Sequence, residues 1–271
     1  MPEGDTVYRA ATHLNRALAG REITASHFRV PKLATVDLSG RVTDEVVPVG
    51  KHILHRMGDI TLHTHFGMDG SWHLYRPGQR WQRPAHTARV ILNAKGIVAV
   101  GFDLAELELI RRESEQDAIG HLGPDLLHPQ WDAAMAADAA IRLADQPERE
   151  IAAALLDQRT VAGLGNEYVN EICFLLGTHP RAQVADAGEA ARIVELARTL
   201  ILTNRDRVER ATTGDPRPGR RTFVYGRAGR PCLRCGTRIR EDRHGAGARG
   251  GRQRDDRVSY FCPSCQPLPV A

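Results

Sequence analysis

Lysine is scarce in this chain. Lys32, Lys51 and Lys95 are the only three in 271 residues, so 34 of the 37 basic residues are arginine. A planar guanidinium can donate two parallel hydrogen bonds to an oxyanion, so this bias suits phosphate partners better than lysine would. No stretch approaches the ~20 apolar residues of a membrane span. The start, MPEGDTVYRAATHLNR, also lacks the apolar core of a signal peptide. These absences predict a cytoplasmic protein with no membrane partner. Cysteine is sparse too, and five residues in such a compartment argue against a disulfide framework. Four of the five form two C-x-x-C pairs, which points to metal.

What is present is globular: 42% hydrophobic and 26% charged residues, enough for one large domain or two ordinary ones. The formal net charge of +4 hides an asymmetry. Residues 205–257 hold sixteen arginines against seven acidic residues, leaving the remainder of the chain acidic. A local excess of this kind reads as a nucleic-acid footprint.

Apolar residues at helical spacing (Val7, Ala10, Ala11, Leu14, Leu18), followed by Gly20, predict a helix over 5–19. From about 21 to 110 the runs are short and β-rich, including HILHRM, DITLHTHF, SWHLY and the pair RVILN/GIVAVGF around Ala94-Lys95-Gly96. They predict a β-rich domain, sandwich-like or barrel-like. Pro124, Pro129 and Pro147 punctuate a change of character, after which EREIAAALLDQ, NEYVNEICFLLG and AGEAARIVELARTLILTNRDRVERA read as helices. RTVAGLGN is the turn between the first two, and TTGDPRPGRR reads as an exposed linker. The expected domains are 1–120, 121–221 and 222–271, the last a small metal-stapled module.

Cys232-x2-Cys235 and Cys262-x2-Cys265 are the strongest local signal. Each pair can clamp one side of a tetrahedral ion, and four thiolates close the sphere, so one structural zinc per chain is expected. Cys173 falls on an apolar helix face and reads as a core thiol. At the other end, excision of Met1 would expose Pro2 as a secondary amine. An α-amine with a reference pKa near ~7.7–8.0 is partly neutral at pH 7, and its iminium product is necessarily cationic, hence an electron sink. Glu3 beside it is a candidate proton shuttle. In the turn Gly163-Leu164-Gly165-Asn166, glycines permit close backbone approach, and helix-start amides with Asn166 could meet a phosphate; a plain helix-to-helix turn is the alternative.

The start MPEG, the lysine of VGKH, the turn GLGN followed by NEYVNEICF, and the ending TFVYGRAGRPCLRCG…RVSYFCPSCQ together resemble the formamidopyrimidine-DNA glycosylase/endonuclease VIII family. The likeness spans almost the whole chain, in order. It implies an α+β protein: an N-terminal β-sandwich flanked by helices, then a helix-two-turn-helix domain ending in a zinc-finger hairpin. Damaged DNA is the implied partner of a monomer located in the cytoplasm with the nucleoid. Carried over by position, the nucleophile falls on Pro2, the acid/base carboxylate on Glu3, and a phosphate-gripping lysine on Lys51. The turn asparagine falls on Asn166, a finger arginine on Arg257, and Glu171 takes the place of a helix carboxylate near the DNA. The alternatives are a surface lysine at 51, a solvated helix face at 171 and one charge among many at 257.

Formamidopyrimidine glycosylases resemble one another in an Arg-x-Phe element after a late strand; here the stretch reads GFDLAELELI and has neither residue. That departure favours the endonuclease VIII branch, whose wedge residues share one loop. The loop here is Gly67-Met68-Asp69, with Met68 as its one convincing wedge and a strand-end core methionine as the alternative. The expected activity is excision of oxidised bases, pyrimidines foremost, and cutting at abasic sites by β,δ-elimination through a Pro2 iminium. Two other readings compete. A non-enzymatic DNA-binding module would leave the N-terminus inert, and a zinc-ribbon RNA-binding protein would leave MPEG and VGKH without purpose.

Overall fold

A computed structural model describes residues 2–244 and 257–268, with the side chains of Arg243, His244 and Arg257 outside the description. The chain divides into two compact units, Met1–His121 and Leu122–Ala271.

The first unit opens with α1 (Gly4–Leu18), whose buried stripe is Val7, Ala11, Leu14 and Leu18. This is the periodicity expected for 5–19. Two four-stranded antiparallel sheets follow. Strands β1 (Ile23–Phe28), β2 (Glu45–Val49), β3 (His52–Met57), β4 (Ile60–His65), β5 (Ser71–Tyr75), β6 (Ala88–Ala94), β7 (Ile97–Phe102) and β8 (Glu106–Arg111) are arranged as β1-β6-β7-β5 and β2-β3-β4-β8. One apolar core is shared by Ile23, Phe28, Val90, Leu92 and Ala99 from the first sheet, Val46, Ile53, Met57 and Leu62 from the second, and the α1 stripe. This is a sandwich with a helix against it. Strand β2 contains Pro48, which an edge strand tolerates because one side of it has no ladder to complete. The short α2 (Glu115–Ile119) delivers Glu115 to Arg56 in a two-pronged ion pair, at 2.9 and 2.7 Å, while Thr61 donates to the same carboxylate.

The second unit contains α3 (Ala133–Ala144), α4 (Ile151–Leu156), α5 (Asn166–Leu176) and α6 (Ala190–Asn204), then the hairpin β9 (Arg240–His244) and β10 (Arg257–Phe261). α3 and α6 pack together, and α5 lies against α4, α6 and β10. Gly177 closes α5 at φ +71, a left-handed conformation that glycine adopts freely, and Thr178 N–H donates to the Cys173 carbonyl at 3.0 Å. α3 lies in the stretch that prolines mark as a transition in the sequence. Its start is set by Asp132, whose side chain accepts from Met135 N–H at 2.9 Å. Cys173 is fully buried in α5, and burial pushes its thiol up to about 12.

Candidate active site and nucleic-acid interface

At the N-terminus, Pro2 is half-buried and Glu3 has no solvent exposure. Glu3 sits where α1 begins: its backbone is extended (φ −125, ψ −175) and its carbonyl accepts from Val7 N–H at 3.0 Å. A proline fits here because its missing N–H and fixed φ cost nothing ahead of a helix. The helix therefore holds a carboxylate and the Pro2 nitrogen side by side in sequence, at a rigid position.

Lys51 occupies the β2–β3 turn. Val49 pairs with His52, so Gly50 and Lys51 form a two-residue loop. Gly50 takes φ +57 while Lys51 keeps an ordinary negative φ, the pattern of a II′ hairpin turn. Met68 stands on the loop between β4 and β5 and is 64% exposed, which excludes a strand-end core methionine. Glycines shape that loop. A Cβ at Gly67, where φ is +64, would lie 2.6 Å from Ala105 Cβ, and one at Gly70 only 2.4 Å from the Phe66 carbonyl oxygen. Because His52 pairs with His65, the turn bearing Lys51 and the loop bearing Met68 lie at the same end of one sheet.

In the second unit the GLGN turn is clamped by Gln158. Its amide oxygen accepts from Gly163 N–H at 3.0 Å and its amide nitrogen donates to the Leu156 and Leu164 carbonyls at 2.9 Å each. Gly163 takes φ +107. Asn166 opens α5, and its side chain donates to the Val258 carbonyl at 2.9 Å. Asn170, one turn on, donates to the Asn166 carbonyl and accepts from Tyr260 N–H. These two asparagines stitch α5 to β10, fixing the backbone on which Arg257 precedes Val258. The Arg257 side chain lies outside the described residues.

Glu171 requires a correction. Expected beside the DNA, it is fully buried and its carboxylate is committed inside the unit. It accepts from Phe223, Val224 and Tyr225 N–H at 2.7, 2.8 and 2.9 Å, and from the Thr212 hydroxyl. Burial pushes this carboxyl up, while the four donors pull the other way. Arg227, also buried, donates to the Phe223 carbonyl at 2.6 Å and the Pro231 carbonyl at 2.9 Å. Together they hold residues 222–231, which lead into the first cysteine pair.

The four cysteines converge: one sulfur from each of Cys232, Cys235, Cys262 and Cys265 lies within 4.8 Å of the others, and Cys235 and Cys262 are 3.4 Å apart. Zinc–sulfur bonds of ~2.3 Å in a tetrahedron set sulfurs ~3.8 Å apart, so the set fits a zinc ion. Arg234 N–H points at Cys232 Sγ at 3.4 Å. The knuckles rest on α5 through Phe174, Val224 and Ile239. Gln266 ties them further, accepting from Cys262 N–H and donating to the Thr178 carbonyl.

Gln158, Asn170, Arg227 and Gln266 have no role that the sequence pattern assigns, although the last three lie inside the segments that carry the resemblance. For Asn170 a signal existed: Asn166, Glu167, Asn170 and Glu171 are the polar positions of the otherwise apolar NEYVNEICF, and the three of them that are buried, Asn166, Asn170 and Glu171, need designated partners.

Comparison with known proteins agrees with this geometry. Residues 1–107 match the model of the formamidopyrimidine-DNA glycosylase N-terminal domain, and residues 122–214 match the formamidopyrimidine-DNA glycosylase H2TH domain. The chain is 52% identical to the "Probable endonuclease 8 2" of Streptomyces coelicolor, covering 100% of this chain and 95% of that one. It belongs to the formamidopyrimidine-DNA glycosylase/endonuclease VIII family. A "DNA-(apurinic or apyrimidinic site) lyase Nei2" of Mycolicibacterium smegmatis is 47% identical over 98% of this chain and 99% of its own. A solved Lactococcus lactis Fpg in complex with abasic-site DNA superposes with a TM-score of 0.79 at 21% identity, covering 98% of this chain and 100% of that one, and shares the fold. The endonuclease 8 names among the relatives place the chain on the endonuclease VIII side of the family, as the missing Arg-x-Phe element suggests. Among the described residues no helix is long and apolar enough to cross a membrane.

Proposed function

We propose that this chain is a DNA glycosylase with abasic-site lyase activity in base excision repair, and that Pro2 is its nucleophile. The observation that carries the reading is the N-terminus, where a proline that becomes a secondary amine once Met1 is removed precedes a carboxylate wholly withdrawn from solvent at the start of α1. The names of its full-length relatives support it.

The target nucleotide leaves the stack, and Met68, an exposed apolar side chain on a glycine-tightened loop, fills the gap. The neutral Pro2 nitrogen attacks C1′, the glycosidic bond breaks, and the base leaves with a proton. Glu3 transfers a proton to the ring oxygen as the sugar opens to the iminium. Loss of a C2′ proton then breaks the C3′–O bond, and a second elimination breaks the C5′–O bond. Water finally hydrolyses the iminium and frees the amine, leaving a one-nucleotide gap. Lys51 and Arg257 grip phosphates, and Asn166 shapes the helix start that meets the backbone. Cys232, Cys235, Cys262 and Cys265 would hold a zinc ion that clamps the finger hairpin, a structural role apart from the reaction. The substrates are oxidised pyrimidines and abasic sites ahead of 8-oxoguanine, on the absence of the Arg-x-Phe element; faster excision of 8-oxoguanine in side-by-side assays would reverse that order.

Borohydride added during turnover on an abasic-site duplex tests the mechanism. The α-amine and three lysines are the amines available. An unperturbed lysine near ~10.4 is protonated at pH 7 and cannot attack. A covalent adduct on Pro2 is expected, and none from a form extended ahead of Pro2 that still binds DNA. Full trapping by that blocked form would transfer the nucleophile to a lysine.

A further inference from the structure

One face of the β2-β3-β4-β8 sheet carries titratable groups for which the reaction above has no use. Register places His52 opposite His65, His65 opposite Glu106, and His63 opposite Glu108. Alternate strand residues share a face, so all five side chains stand on the side opposite Ile53 and Leu62, which enter the core. His52 Nδ1 and His63 Nε2 are 2.8 Å apart with the rings stacked, and one ligand atom from each of His52, His63 and Glu106 lies within 4.8 Å of the other two. His63 is 2% exposed, and its remaining nitrogen, Nδ1, is buried without a hydrogen-bond partner among the described residues. A Glu108 carboxylate oxygen stands 3.9 Å from that nitrogen.

We propose that His52, His63 and Glu106 form a binding site for a first-row divalent metal ion, distinct from the four-cysteine site, with Glu108 orienting His63 from behind. Two imidazoles and a carboxylate suit zinc, nickel, cobalt or copper better than magnesium or calcium, which prefer oxygen. Metal–nitrogen bonds of ~2.0–2.1 Å in a tetrahedron separate two nitrogens by ~3.3 Å, so the ion enters by replacing the shared proton and opening the pair by about half an ångström. The orphaned Nδ1 then acquires a purpose. Metal-bound histidines characteristically donate their second N–H to a carboxylate, and Glu108 is placed to receive it. Lys51, whose charge acts on His52 and His65, opposes a cation here, but Glu106 and Glu108 outnumber it.

The test uses the full chain equilibrated with micromolar free zinc and analysed for metal content, with calorimetric titration of zinc and nickel. The wild type is expected to hold one zinc more than a His52→Gln/His63→Gln variant, with the count of metal-protected thiols equal in both. Glu106→Gln, a change at an exposed strand position, should weaken this extra site at least ~10-fold, and Glu108→Gln by about 10-fold. It keeps the test decisive should the double variant fail to fold. Equal zinc content in wild type and double variant, or an affinity untouched by Glu106→Gln, would leave the cluster as a hydrogen-bonded histidine pair and overturn the proposal. The comparison is a difference between variants, so it stands whatever the cysteines bind.

Discussion

In the first unit the candidate residues stand at the ends of an apolar scaffold, whereas in the second they are built into it. Lys51 and Met68 sit on turns that the sandwich presents, and Glu3 and Pro2 sit where α1 begins. Asn166, Asn170 and Glu171 instead spend their hydrogen bonds on backbone groups of β10 and residues 223–225. A turn residue can be changed without disturbing what lies beneath it. A buried carboxylate with four donors cannot, because each orphaned donor costs free energy. The first unit thus offers the proposed chemistry at turns and at a helix start, and the second holds its finger hairpin through buried polar side chains.

The sharpest break of that contrast is Glu171→Ala. It leaves three N–H groups without an acceptor, at ~1–3 kcal/mol each before water enters the space, while the Thr212 hydroxyl can turn to the Arg221 carbonyl at 3.1 Å. A loss of roughly 4 kcal/mol or more from the second unit is expected, with hydrogen exchange at 223–225 rising first. The first unit should keep its melting transition, and borohydride trapping at saturating DNA should persist. An unchanged melting curve would return Glu171 to the list of DNA-facing residues.

Acid should separate the units in the other direction. His55 is 2% exposed on the core side of β3, its Nε2 2.8 Å from the Thr43 hydroxyl, and burial pushes it down to about 4 from 6.5. The unfolded chain therefore takes up a proton below about 6.5 that the folded chain refuses until about 4. This contribution to stability is complete above pH 6.5 and drains away down to pH 4, in total about 3 kcal/mol. In the second unit Asp157, held well below the usual carboxylate range chiefly by Arg159, contributes above its ordinary 3.8 and loses that contribution only under it. The first unit should accordingly weaken first on acidification. Denaturant midpoints between pH 7.5 and 4.5 would show it, and His55→Gln should flatten the slope; an equal slope in the variant would place the acid sensitivity elsewhere.

The same contrast governs what was legible in the sequence. α1, the β6–β7 hairpin turning at Lys95-Gly96, and the cysteine pairs are local patterns, and each announces itself through spacing. α3 does not. The prolines around it mark a transition and speak louder than the Asp132 cap that starts it. The roles of Asn166 and Asn170 depend on partners about ninety residues away, and a helix glutamate that receives three backbone amides looks in sequence like one that faces water. Structure carried by local spacing was readable; structure carried by long-range satisfaction of buried donors was not.

The smallest effects should come from the side chains proposed to touch DNA, and they should differ in kind. Arg257→Ala removes a charged contact worth about 1.5–3 kcal/mol and should reduce the slope of log affinity against log salt by about one, since one fewer counterion is released. Met68→Ala removes no charge, so that slope should stay as it is. Its cost falls on the extruded state: the vacated stack loses an apolar filler, and excision on duplex DNA should slow by about 10-fold, near 1.4 kcal/mol, within the few kcal/mol that unstacking demands. Neither variant should shift the melting temperature of the first unit, because Met68 is 64% exposed and Arg257 belongs to the other unit. The discriminating measurement is excision on the same lesion in duplex and single-stranded oligonucleotides. A wedge matters only where there is a stack to fill, so Met68→Ala should narrow the gap between the two substrates while Arg257→Ala lowers both together. Equal slowing of both substrates by Met68→Ala would remove Met68 from the role of wedge.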